Sequence, residues 1–194
     1  MYAQAVFAVV ALVVGVGAPA VADATAQDAK CLQSYKHDRQ RLVRLMEADA
    51  TYYDAHEEAT SKLITAMDNL LRDPQLHDLI PQQEAGTAQF RDTVLPLVAQ
   101  SRDTDYAELK RFKRVYRKCF TTDSRQAKFS GGVQQVTSAF RSLYTAHEDL
   151  FWAESALVSA DTGTATQKLQ EARVDVLPAS DQFERGMRKL RSLH

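Results

Sequence analysis

The chain is 194 residues long, with 45% hydrophobic and 25% charged residues, 24 Lys and Arg against 25 Asp and Glu, and a formal net charge of −1. That balance excludes an acidic disordered tail, a collagen-like repeat and a uniformly basic nucleic-acid binder. Seven glycines and five prolines are too few for a β-rich fold, which needs a turn about every 8–12 residues.

Ala3 to Ala18 is an uncharged apolar run, and Ala20-Val21-Ala22 places small residues where a signal peptidase needs them. Residues 1–22 therefore read as a secretory signal peptide, with 23–194 as a single helical domain. Met1-Tyr2-Ala3-Gln4 lacks the usual Lys or Arg, and the run ends in Gly17-Ala18-Pro19, so an uncleaved anchor is the alternative. No second run of this kind follows, and a secreted or periplasmic protein without a transmembrane segment in its mature chain is expected.

Cys31 and Cys119 are the two cysteines. In an oxidising compartment an even pair reads first as a disulfide, and neither belongs to a CxxC or a metal-spaced set. Asn69, the one asparagine, precedes Leu70-Leu71 and offers no glycosylation sequon.

Apolar residues recur at helical spacing in four segments. From about Asp28 to Arg72 the stripe is Leu42, Leu45, Tyr52, Ala59, Leu63, Ala66 and Leu70, flanked by Val43, Met46, Tyr53, Ile64 and Met67. Asp73-Pro74 ends it, and Pro81 is placed in the connection. A second helix is expected from about Gln83 to Cys119 through Phe90, Val94, Leu97, Tyr106, Leu109, Phe112 and Tyr116. The third carries Val133, Val136, Phe140, Leu143, Leu150 and Leu157, closed by Asp161-Thr162-Gly163-Thr164. The fourth carries Leu169, Val176, Phe183, Met187 and Leu190. Short connections make an all-α, up-down-up-down four-helix bundle the economical topology, with hairpins at about 28–119 and 125–192. Cys31 and Cys119 then both fall at the open end of the first hairpin, where a bridge is geometrically plausible.

Two motifs recur in order. Tyr53-Asp54-Ala55-His56-Glu57-Glu58 matches Tyr144-Thr145-Ala146-His147-Glu148-Asp149, and Arg91-Asp92-Thr93-Val94-Leu95-Pro96 matches Arg173-Val174-Asp175-Val176-Leu177-Pro178. Duplicated αα-hairpins account for both, coincidence being the alternative. Duplication sets His56 and His147 at one level on diagonally opposed helices, with Tyr53, Tyr144, Pro96 and Pro178 nearby. Such a layer can hold haem b between two imidazoles or a small ligand in a proline-kinked cavity. The competing reading is a pair of core histidines hydrogen-bonded to their neighbours. A transition metal on the facing imidazoles is a further alternative, but no di-iron, di-manganese or zincin site is expected: there is no Glu-x-x-His pair, Tyr standing at that offset from each histidine, and no second zincin histidine. Catalytic serine motifs and phosphate-binding glycine loops are absent too, so the chain reads as non-enzymatic.

Charge is sorted along the expected bundle. Residues 101–141 carry ten Lys and Arg against four Asp and Glu, whereas 52–100 carry three against eight. The densest run is Lys110, Arg111, Lys113, Arg114, Arg117 and Lys118, with Arg185 and Arg188 of the fourth helix expected beside it. As a solvated face this run complements the helix dipole; as a site it steers a protein or other anionic surface to that end. Specific nucleic-acid recognition is not expected. The expected function is thus a secreted, non-enzymatic binding module, monomeric or homodimeric, docking an anionic partner; the alternative is a haem or small-ligand carrier.

Overall fold

A computed structural model describes residues 18–193, with side chains from Ala29 onward. Residues 1–17 of the expected signal peptide lie outside the described residues. The regular structure described is all helical: α1 (Ala18–Arg72), α2 (Ile80–Tyr116), α3 (Asp123–Leu157) and α4 (Thr162–Arg191), with short 3₁₀ segments at Pro74–Leu79 and Arg117–Cys119. The helices pack together as a bundle. None is long and apolar enough to cross a membrane.

Several boundaries differ from expectation. α1 starts at Ala18 rather than near Asp28, because no Gly or Pro follows Pro19 until Pro74 and the intervening stretch is rich in Ala. Pro81 lies in the first turn of α2, where its missing N–H breaks no intrahelical bond. α2 ends at Tyr116 and tightens into a 3₁₀ turn before Cys119. Asp161 opens α4 rather than closing α3: its carboxylate accepts from the Thr164 N–H at 2.9 Å. The left-handed residue of that connection is Ala160, at φ 52°, not a glycine.

The buried row of α1 is also displaced by one position. It runs Leu42, Met46, Asp49, Tyr53, His56, Thr60, Ile64, Met67, in steps of three or four. Of the expected stripe Leu42 is buried, whereas Leu45, Tyr52, Ala59, Leu63, Ala66 and Leu70 are half-buried, and Met46, Tyr53, Ile64 and Met67, expected at its flank, are buried instead. An apolar count misses the true row because three of its members are polar. On α2, Val98 and Asp105 are buried while Leu97 is exposed. α3 is the most enclosed helix, and the apolar residues expected for it are all buried.

α3 and α4 share the most extensive interface. They approach closely at Gly132 and Gly186, where a Cβ on Gly186 would stand 2.8 Å from the Gly132 carbonyl oxygen and 2.9 Å from the Val136 nitrogen. Backbone cannot yield as a side chain can. Gly186→Ala should therefore cost about 1–3 kcal/mol, although alanine is the better helix former. Gly86→Ala, with nothing within 4 Å of its Cβ, should instead stabilise by up to about 1 kcal/mol. Urea midpoints of the two variants check the opposite signs.

Candidate functional site

The polar members of the α1 row meet polar residues of α2 and α3 in the core. His56 and His147 face each other with Nδ1 atoms 2.8 Å apart and rings stacked at 5.1 Å. His56 Nε2 lies 2.7 Å from Glu154 Oε1, which also accepts the Thr60 hydroxyl at 2.8 Å. His56, Thr60, His147 and Glu154 are each at most 3% exposed. Burial, and then proximity to His56, push His147 down to about 3, so it is neutral across the physiological range. With its proton on Nε2, the neutral His56 ring donates to Glu154 Oε1, and its Nδ1 then accepts from the Nδ1–H of His147.

A second buried cluster adjoins the first. The Tyr144 hydroxyl is within hydrogen-bond distance of both Asp105 Oδ2 and Asp49 Oδ2 (3.2 Å to the latter), and Ser101 donates to Asp49 Oδ1 at 2.7 Å. One phenolic proton can serve only one carboxylate at a time, so the trio favours keeping a further proton on the acid pair. Burial, then the contact with Asp49, push Asp105 up to about 8, against the opposing hydrogen bond from Tyr144.

These shifts fix how stability depends on pH. Asp105 has an ordinary value of 3.8 and a folded value near 8, so its contribution is fully present below the ordinary value and is lost as pH rises through the folded one. His147 moves the other way, from 6.5 to about 3, so unfolding takes up a proton as pH falls through that interval. Each proton is worth at most about 1.4 kcal/mol per pH unit. Asp105 acts alone between 6.5 and 8, the two oppose each other between 3.8 and 6.5, and His147 acts alone below that. Stability should therefore rise on acidification from pH 8 to 6.5. Urea titrations at several pH values should show this rise abolished in Asp105→Asn.

The structure brings together four of the residues singled out for this layer and leaves two outside. His56, His147, Tyr53 and Tyr144 are buried in it. Pro96 and Pro178 are exposed on α2 and α4, beside exposed Leu95, Leu97 and Leu177. The helical repeat matched the prolines in level but did not reveal which face they occupy. A haem does not fit this arrangement. The imidazoles are in direct contact, both ring nitrogens of His56 have protein partners, and an intervening iron would require two Fe–N bonds and a porphyrin plane in that space. Among the described residues no group of three or more His, Cys, Asp or Glu is arranged to hold a metal.

The other expected site is the basic end. Cys31 and Cys119 are paired as a disulfide with Cα atoms 6.2 Å apart. The Tyr35 ring lies within 6.3 Å of those of Phe112, Tyr116, Phe120 and Phe129 in tilted and edge-on contacts, and its hydroxyl donates to the Leu190 carbonyl at 2.8 Å. One aromatic cluster thereby gathers the basic parts of all four helices. Arg111, expected in the partner site, is engaged within the protein: it donates to Asp38 at 2.7 Å and to Glu108 at 3.1 Å. Burial would raise the Asp38 carboxyl, yet hydrogen bonds from Tyr116, His37 and Arg111 hold it below the usual range. Lys110, Lys113, Arg114, Arg117, Lys118, Arg185 and Arg188 are exposed.

Between α2 and α3 runs an open groove of about 500 Å³, with Lys110, Lys113 and Arg141 on its walls and Ser130, Gln134 and Thr137 between them. Arg185 and Arg188 do not line it. Lys189 instead lies over Gly131, its Nζ 3.4 Å from where a Cβ would stand, across α3 from the groove. No protein-family model matches the chain, and neither curated proteins nor solved structures give a match.

Sequence reasoning missed Asp49, Thr60, Ser101, Asp105 and Glu154 in the core and Arg141 in the groove. The available signal was the three-and-four spacing of Asp49, His56 and Thr60 with Met46 and Tyr53. A polar residue in register with apolar ones is a candidate for a buried network.

Proposed function

We propose that this protein is a non-enzymatic binding module, working in an oxidising compartment outside the cytosol, that docks an anionic partner along its basic end. The observation that carries the reading is the α2–α3 groove, where Lys110, Lys113 and Arg141 border a surface that also presents Ser130, Gln134, Thr137 and Ser138 beside Tyr106, Leu109 and Val133. Cations with Ser, Gln and Thr side chains between them suit sulfate, phosphate or carboxylate groups, which need both charge and directed donors. The exposed Arg114, Arg117 and Lys118 continue the field beyond the groove. The Cys31–Cys119 bridge supports the compartment.

A sulfated polysaccharide such as heparin is a suitable probe. Its affinity should fall steeply as salt is raised, because exposed charges are screened within about 8–10 Å at 0.1–0.15 M. Lys110→Glu combined with Lys113→Glu should weaken binding by about tenfold or more, chiefly through slower association. Binding indifferent to salt and to these substitutions would remove the reading.

A further inference from the structure

The contact between α1 and α4 is the thinnest of the main helix–helix interfaces, and it leaves two adjoining grooves that share Val43. Near the basic end the groove is about 430 Å³ and is lined by Arg39, Arg44 and Arg191. Past Val43 it continues for about 280 Å³ over Met46, Leu143, Val176, Ala179 and Phe183. The size comes from short side chains, since Ala50 and Ala179 stand on opposite walls where larger residues would close the gap. Together the two parts fall within the usual range of small-ligand sites, about 300–1,000 Å³.

Charge is distributed unevenly along this groove. Arginines occur only at the first part, and Arg39 is held there by its contact with the Leu190 carbonyl at 3.4 Å and by stacking 5.8 Å above the Tyr35 ring. The charged residues bordering the apolar part are Glu47 and Glu184, the latter 3.9 Å from Arg191 of the first part. A carboxylate head placed among them would be repelled, whereas at Arg39 and Arg44 it would be neutralised. An uncharged chain can lie between the two glutamates over Met46, Leu143 and Phe183 without either penalty. We infer that the α1–α4 groove binds a single-chain anionic amphiphile of the fatty-acid type, its head at Arg39 and Arg44 and its chain over the apolar part. This site shares no residue with the α2–α3 groove.

Dodecanoate, below its micelle-forming concentration, tests this by calorimetry with the full chain. The expected result is saturable one-to-one binding whose affinity rises from octanoate to dodecanoate by up to about fourfold for each methylene that enters the groove. Arg44→Glu should weaken dodecanoate at least tenfold, and dodecyltrimethylammonium should bind far more weakly than dodecanoate. Ala50→Leu, which fills the apolar part from a half-buried position, should abolish the gain with chain length; unchanged thermal melts would show that both variants fold. Four outcomes would overturn the inference: no saturable binding, equal binding of the cationic amphiphile, insensitivity to both substitutions, or association with anionic vesicles but not with monomeric dodecanoate. Concentration-dependent dimerisation that closes this face against dodecanoate would overturn it as well.

Discussion

Replacing His56 with leucine is expected to lower the free energy of unfolding by about 3–5 kcal/mol, because it leaves a fully buried carboxylate without its partner. Glu154 is 0% exposed, His56 is the ring directed at its Oε1, and its Oε2 has no hydrogen-bond partner within the protein. Thr60 alone would then face the carboxyl group, with a hydroxyl that also lies 2.9 Å from the His56 carbonyl. His147 would simultaneously lose its Nδ1 partner. Removing both ends of the pair has a different consequence, since a neutral, well-filled site carries no desolvation penalty. His56→Leu/Glu154→Leu should accordingly be more stable than His56→Leu, with a coupling energy of about 1–3 kcal/mol in a double-mutant cycle. Urea unfolding of the four proteins at pH 7 supplies the cycle. Additive losses would mean that the two side chains do not stabilise each other.

Loss of the disulfide should cost about as much by another route. Cys31 and Cys119 are 88 residues apart, and cross-linking a loop of that length removes about 4–5 kcal/mol of chain entropy from the unfolded state. Cys31→Ser/Cys119→Ser should therefore melt well below the parent, with the loss appearing mainly in the unfolded reference. The folded basic end is assembled by the Tyr35 cluster rather than by the bridge alone. Heparin affinity of the variant, measured below its melting transition, should stay within about twofold of the parent. A large affinity loss in folded protein would show that the bridge itself positions the cations.

The helical class was legible because long stretches without Gly or Pro carry apolar residues at three-and-four spacing. The exceptions have identifiable causes. The seam of α1 was read one position away from its true place because Asp49, His56 and Thr60 occupy it, and an apolar count passes over polar members. The meeting of His56 with His147 was expected from the recurrence of Tyr-x-Ala-His-Glu. Glu154 could not be found the same way: the same offset from it leads to Leu63, so no recurrence marks the acid. Pro96 and Pro178 were placed by level along the helix, but burial depends on rotation about its axis, and both turn outward. The basic run on α2 was visible as composition, whereas Arg111 belongs to an ion-pair network that only the approach of α1 completes. Arg141, which faces that run from α3 across the groove, is separated from it in sequence by a whole interhelical connection.

We propose stability as the role of the buried histidine network and binding as that of the basic end, and the two roles separate in one comparison. Heparin affinity at fixed low salt is measured for the parent, for His56→Leu/Glu154→Leu, and for Lys110→Glu/Lys113→Glu, each shown to be folded at the temperature used. The expected result is parent-like affinity in the core variant and a loss of about tenfold or more in the groove variant. The opposite pattern, with binding lost from the core variant and kept by the groove variant, would contradict the assignment and return function to the histidine layer.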